Sequence, residues 1–189
     1  ILSPFTLPNG TELKNRLLMA PMTTCTGYYD GTVTSELVEY YRARAGSIGT
    51  IIVECCFVDD LGLAFPGAIG IDNDEKIAGL AKIADAIKSK GSKALLQIYH
   101  GGRMVDPKLI GGRTPVGPSA VAAPRDGAAT PVALTSEEVE GMIGKFGEAV
   151  RRAIQAGFDG VEIHGANTYL IQQFYSPNSN QRDDEWGGS

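Results

Sequence analysis

Two histidines, three cysteines and one tryptophan are all that 189 residues hold of the residue types that most often carry metals, disulfides or aromatic anchors. With only His100 and His164, and no further ligand at telling spacing, a metal centre lacks donors. Cys25, Cys55 and Cys56 form no Cys-x-x-Cys pair, and their odd number fits a reducing compartment better than a disulfide framework, so cytoplasm is the expected location. No apolar run approaches bilayer-spanning length. The chain begins at Ile1, so the initiator is expected to be missing, and no basic-then-apolar leader is visible. Charge of one sign is scarce too: the net charge is −5 and the 17 basic residues are scattered, which speaks against nucleic acid or an anionic membrane as partner. Gly-x-Gly-x-x-Gly is absent after the first candidate strand, as is a Walker loop.

What is present reads as one globular domain over residues 1–189, with 43% hydrophobic and 21% charged residues. FTLPNGTELK, residues 5–14, alternates weakly around Asn9-Gly10, a dipeptide suited to a type I′ hairpin turn. RLLMA, residues 16–20, is the first buried strand, closed by Pro21. Thr34 or Ser35 caps a helix running to Ala45. TIIVEC, residues 50–55, is a β-branched strand of the kind buried in parallel sheets. Asp72 to Glu75 has capping-box spacing before a helix with Ile77, Leu80, Ala81, Ala84 and Ile87 on one stripe. KALLQIY, residues 93–99, is the third strand, followed by a Gly/Pro-rich excursion over 101–134. Thr135 to Glu138 is a second capping box, opening a helix with Val139, Met142, Ile143, Phe146, Val150 and Ile154 as its apolar face. FDGVEIH is the fourth strand.

Regular alternation of four strands and three helices predicts a parallel α/β sheet with right-handed crossovers, either a (β/α)8-type barrel or a doubly wound open sheet. A full barrel needs ~250 residues. With four strands behind a hairpin cap, this chain is too short for a complete one.

The chemistry gathers after the fourth strand. Residues 158–189, FDGVEIHGANTYLIQQFYSPNSNQRDDEWGGS, put Val161 and Ile163 on one strand face and Glu162 and His164 on the other. Polar residues just beyond strand ends are where barrels of this kind carry function. His164 and Asn167, three apart, offer N–H donors to one point, and such a pair polarises a carbonyl and stabilises enolate charge. Tyr169 adds a phenolic proton. Alone, His164 is more often a structural histidine, and Glu162 is expected deeper in the barrel beside a cation such as Arg16.

The run HGANTYLIQQFYSPNSNQRDDEWGGS resembles the signature segment of the old yellow enzyme family of FMN-dependent NAD(P)H oxidoreductases, with Thr168 standing where the family usually has glycine. LKNRLLMAPMT, VEC and LLQIYHGGR extend the resemblance to the whole chain, as the N-terminal half of a family catalytic barrel. The resemblance implies reduction of activated C=C bonds in α,β-unsaturated carbonyl or nitro compounds, with FMN as cofactor and NADH or NADPH as reductant. It implies His164 and Asn167 gripping the activating oxygen and Tyr169 protonating carbon. It also places the backbone of Pro21 and Met22, the Thr23 hydroxyl, Cys55 and the Gln97 amide against the flavin. Cys55 is otherwise a small buried hydrophobe, and Gln97 needs a partner wherever it is buried. His100 and Arg103 are either near the cofactor or solvated. The alternative is a non-catalytic half barrel that needs a partner chain or a C-terminal half to bind flavin. Open parallel edges suggest a homo-oligomer. The physiological alkene and the choice of nicotinamide stay open.

Overall fold

Four apolar segments spaced by helices come together as one parallel sheet in the structure, a computed structural model that describes residues 1–188. The chain opens with the hairpin of β1 (Phe5–Thr6) and β2 (Glu12–Leu13). Its turn is not the two-residue type expected. The Gly10 N–H donates to the Leu7 carbonyl and the Leu7 N–H to the Thr11 carbonyl, leaving Pro8, Asn9 and Gly10 as a three-residue loop. Only Gly10, at φ +86°, is left-handed there, because Pro8 fixes a type I turn that a left-handed residue must close.

Strand β3 is Leu18–Met19, shorter than residues 16–20. Asn15 draws the Leu17 N–H onto its own side chain at 3.1 Å, and Pro21 stops the ladder at the far end. Helix α1 (Ser35–Arg44) starts at Thr34, whose hydroxyl accepts from Leu37 N–H at 3.2 Å. Strand β4 (Thr50–Phe57) is buried along its whole length and runs two residues past the expected end. The cap before α2 (Ile77–Lys88) is Asn73 rather than Asp72, so no capping box forms and a 3₁₀ turn, Asp74–Lys76, leads in. Asp72 accepts instead from the Asn73 amide at 2.9 Å.

Strand β5 (Lys93–Tyr99) has the expected limits. The excursion over 101–134 is ordered by two 3₁₀ turns and a parallel pairing of β6 (Val116–Gly117) with β7 (Val132–Ala133). Helix α3 (Ser136–Gln155) carries the full capping box, Thr135 and Glu138 each accepting the other's backbone N–H. Its buried stripe differs from expectation. Ile143 and Ile154 are 55% and 53% exposed, while Ala149 and Ala153 are sealed against the sheet, small enough for close approach. Strand β8 (Gly160–Ile163) completes the sheet, and a short helix not foreseen, α4 (Leu170–Tyr175), follows.

The sheet order is β3-β4-β5-β8, all parallel, with Leu18 opposite Thr50, Ile51 opposite Ala94 and Gln97 opposite Glu162. Residues from α1, α2 and α3 all enter one apolar cluster with Ile51, Val53, Leu96 and Ile98, alternate positions of one sheet face. Helices on a single face belong to a barrel wall, not to a doubly wound sheet. On the other face a smaller cluster joins Cys55, Phe57, Tyr99 and Tyr169. Among the described residues no helix is long and apolar enough to cross a membrane.

Candidate active site

The C-terminal ends of β3, β4, β5 and β8 share one rim, and each contributes to the same neighbourhood. At the end of β4 a bulge sets Glu54 and Cys55 together opposite Gln97. It turns the fully buried Glu54 carboxylate toward the first rim loop, where it accepts from the Thr24 N–H at 3.2 Å, the Thr24 hydroxyl at 3.3 Å and the Tyr41 hydroxyl at 3.2 Å. Burial pushes its pKa up, opposed by those donors. Cys55 turns the other way, its sulfur 3.4 Å from the Thr23 hydroxyl. Burial holds the thiol protonated up to about 11, so Cys55 offers a contact and not a nucleophile.

Gln97 donates to Glu162 Oε1 at 2.8 Å, a pairing their shared register prepares. Glu162 is therefore not the partner of Arg16. That guanidinium lies 4.4 Å from the centroid of the Phe5 ring, at the other end of the chain's first strands. The Gln97 side-chain oxygen, Oε1, makes no hydrogen bond among the described residues. Pro21 and Thr23 are half-buried and Met22 is 51% exposed at the rim. A hydroxyl, an amide and exposed apolar surface match a planar ring with a polar edge. The set fits a flavin.

The fourth rim loop carries the proton chemistry. The His164 N–H donates to the Ile98 carbonyl at 3.0 Å, fixing the residue beside β5. Nδ1 accepts from the Ala166 N–H at 3.3 Å, so the ring proton sits on Nε2. Burial lowers the His164 pKa, against the pull of Glu162, and keeps the ring a neutral donor. Tyr169 lies edge-on to it, centroids 4.9 Å apart and planes at 79°. Burial raises the phenol to about 12, and its hydroxyl has no hydrogen-bond partner among the described residues. Asn167 is exposed, its side-chain amide without a hydrogen bond among the described residues, between these two rings in the chain. Asn167 and Thr168 both sit at positive φ, +53° and +61°, the second where glycine would be unstrained.

Most other polar residues of the segment turn out to hold the loop. Gln173, 1% exposed, donates to the Gly101 carbonyl at 3.2 Å and the Thr168 carbonyl at 2.6 Å, and accepts from the Arg103 N–H at 3.1 Å. Gly102, at φ +58°, makes room: a Cβ there would come within 2.3 Å of Gln173 Oε1. The Asn180 amide donates to the Phe174 and Trp186 carbonyls at 2.8 and 2.7 Å, and Arg182 clasps Asp184 and the Leu134 carbonyl. Ser189 lies outside the described residues. His100 and Arg103, read as cofactor neighbours or solvated, are both buried; Arg103 donates to the Val121 and Ala122 carbonyls at 3.1 Å each. Sequence reasoning missed Glu54, Phe65, Tyr99 and the structural role of Gln173. A carboxylate inside the run TIIVEC was the one available signal for Glu54.

The profile of the NADH:flavin oxidoreductase / NADH oxidase family matches residues 1–189. An NADH:fumarate oxidoreductase of Klebsiella pneumoniae (strain 342) is 89% identical over all of this chain, which covers 20% of that protein. An NADH:acrylate oxidoreductase of Vibrio harveyi is 62% identical over 96% of this chain and 18% of its own length. The old yellow enzyme homologue from Zymomonas mobilis superposes with a TM-score of 0.91 at 35% identity, over 100% of this chain and 54% of that one. The chain thus spans about a fifth of the first two relatives and about half of the solved structure.

Proposed function

Because the chain belongs to the FMN-binding NADH:flavin oxidoreductase / NADH oxidase family, we propose that it is the N-terminal half of a catalytic barrel that reduces activated C=C bonds. NADH is the proposed reductant, and α,β-unsaturated carbonyl compounds are the proposed substrate class. Within it, small unsaturated carboxylates are favoured, since the relatives at 89% and 62% identity are named for fumarate and acrylate.

The observation that carries this reading is the pair formed by a neutral His164 with its proton on Nε2 and an edge-on Tyr169 whose hydroxyl is unpartnered. In the proposed site Thr23, Cys55, Gln97 and the backbone of Pro21 and Met22 would hold a flavin, and that group would supply the hydride chemistry there. His164 Nε2–H and the Asn167 amide donate to the activating oxygen, where negative charge grows as the hydride arrives. Tyr169 delivers its proton to the α-carbon, and its raised pKa keeps that proton in place over the whole physiological range.

Tyr169→Phe in the full-length flavoprotein tests this. Alkene reduction is expected to slow by on the order of 10²–10⁴-fold, with flavin reduction by NADH unchanged, in rapid-mixing experiments on the two half-reactions. Equal loss of both half-reactions overturns the assignment.

A further inference from the structure

Tyr99 takes no part in the chemistry above, yet it is completely buried beside it. It ends β5 with its ring against Tyr169, centroids 5.2 Å apart and planes at 52°. Phe65, from the loop between β4 and α2, meets Tyr169 from another direction at 6.2 Å and 84°, and lies 6.4 Å from Tyr99. With His164 as the third neighbour, the Tyr169 ring is bounded by three others in the tilted and edge-to-face arrangements that aromatic quadrupoles prefer.

The loop that carries Phe65 is fastened by Tyr99 itself. The Tyr99 hydroxyl accepts from the Ala64 N–H at 3.1 Å, one residue before Phe65. Its carbonyl accepts from the Val58 N–H at 3.0 Å where the loop leaves β4, and the Gly101 N–H donates to the Gly62 carbonyl at 3.0 Å. Tyr99 therefore touches Tyr169 directly with its ring and indirectly through Phe65. The Tyr169 hydroxyl itself is held by no hydrogen bond among the described residues.

On the reading of Tyr169 as proton donor, we propose that Tyr99 and Phe65 are positioning residues that clamp the Tyr169 ring, with Tyr99 latching the loop that brings Phe65 onto it. A phenol aimed at a carbon has no ground-state hydrogen bond to orient it, so packing must do so. Displacement of a reacting group by about 1 Å costs on the order of 10²-fold in rate.

The test uses the full-length, FMN-loaded protein with Tyr99→Phe, Phe65→Leu, Phe65→Tyr and Tyr169→Phe. Tyr99→Phe frees Ala64, and Phe65→Leu removes the ring. Each is expected to slow alkene reduction on the order of 10-fold or more, to leave flavin reduction by NADH unchanged, and to raise the solvent deuterium isotope effect on alkene reduction as proton transfer becomes limiting. Phe65→Tyr, which keeps the ring, is expected to keep the rate. In flavin-free protein, NMR of ring-labelled tyrosine is expected to show slow flips of the Tyr169 ring that quicken in Tyr99→Phe and Phe65→Leu. Wild-type alkene reduction in both, beside a slow Tyr169→Phe, overturns the clamp and leaves the proton donor standing. A fast Tyr169→Phe removes the proton-donor reading and the clamp with it. Parallel loss of both half-reactions in the clamp variants also overturns the proposal, since that marks general damage to the rim.

Discussion

His100 holds a titratable ring where water does not reach. Its Nδ1 accepts from the Gly102 N–H at 3.0 Å, its Nε2 is buried with no partner among the described residues, and burial lowers its pKa to about 4 despite the nearby Asp59 carboxylate. The unfolded chain binds a proton at about 6.5 and the folded chain does not until about 4. Between those values the unfolded state carries more protons, so stability falls as pH falls. Lowering pH from 7 to 5 is expected to cost about 2 kcal/mol through this group, read as the difference in urea unfolding between wild type and His100→Gln. The difference matters because Glu54, raised by burial, contributes with the opposite sign as it protonates in the folded state. Legibility was uneven at this scale. His164, Asn167 and Tyr169 were readable as a donor kit, and the structure brings the rings of His164 and Tyr169 into contact. The supporting roles of His100, Gln173 and Tyr99 were not, because burial and partner choice depend on loops distant in sequence.

Among the elements, α3 shows how periodicity informs and misleads. Its start was legible because a capping box is local chemistry, two side chains serving two backbone N–H groups within four residues. Its buried face was read from the largest apolar side chains, yet alanines make the close contacts and Ile143 points outward. The hairpin turn and the α2 cap went astray for a related reason: Pro8 and Asn73 each offered a competing local solution one residue away. Helix α3 also carries Gly141, Gly144 and Gly147 in its interior, and a Cβ at any of them would meet nothing within 4 Å. Replacing each by alanine is expected to raise the unfolding free energy by roughly 0.5–1 kcal/mol, additively, in chemical denaturation. A destabilised triple variant would mean the open face of α3 is already covered.

At the scale of the whole molecule, the sheet ends in two edge strands, β3 and β8, each paired on one side only among the described residues. Leu18 on β3 is 57% exposed and Ile163 on β8 is 58% exposed, and Ile163 shares an apolar groove with Ile143, Phe146 and Ile171. Parallel strands with bare edges invite pairing. Residues 1–189 alone are expected to self-associate with rising concentration in sedimentation velocity, and Ile163→Lys with Ile143→Glu to suppress it. An unsubstituted chain that stays monomeric throughout would contradict this. The parallel four-stranded sheet was legible from strand and helix alternation, while the choice of barrel over open sheet came from the resemblance and is seen physically in α1, α2 and α3 packing on one face.

The Gln173 amide joins the loop after β5 to the loop after β8 through three hydrogen bonds. These two rim segments are thus held together as a unit. Recombining homologous barrels at a crossover point between residues 103 and 164 would part Gln173 from the glycine-lined pocket that receives it. Chimeras that exchange both segments together should keep a working rim where single-loop grafts do not.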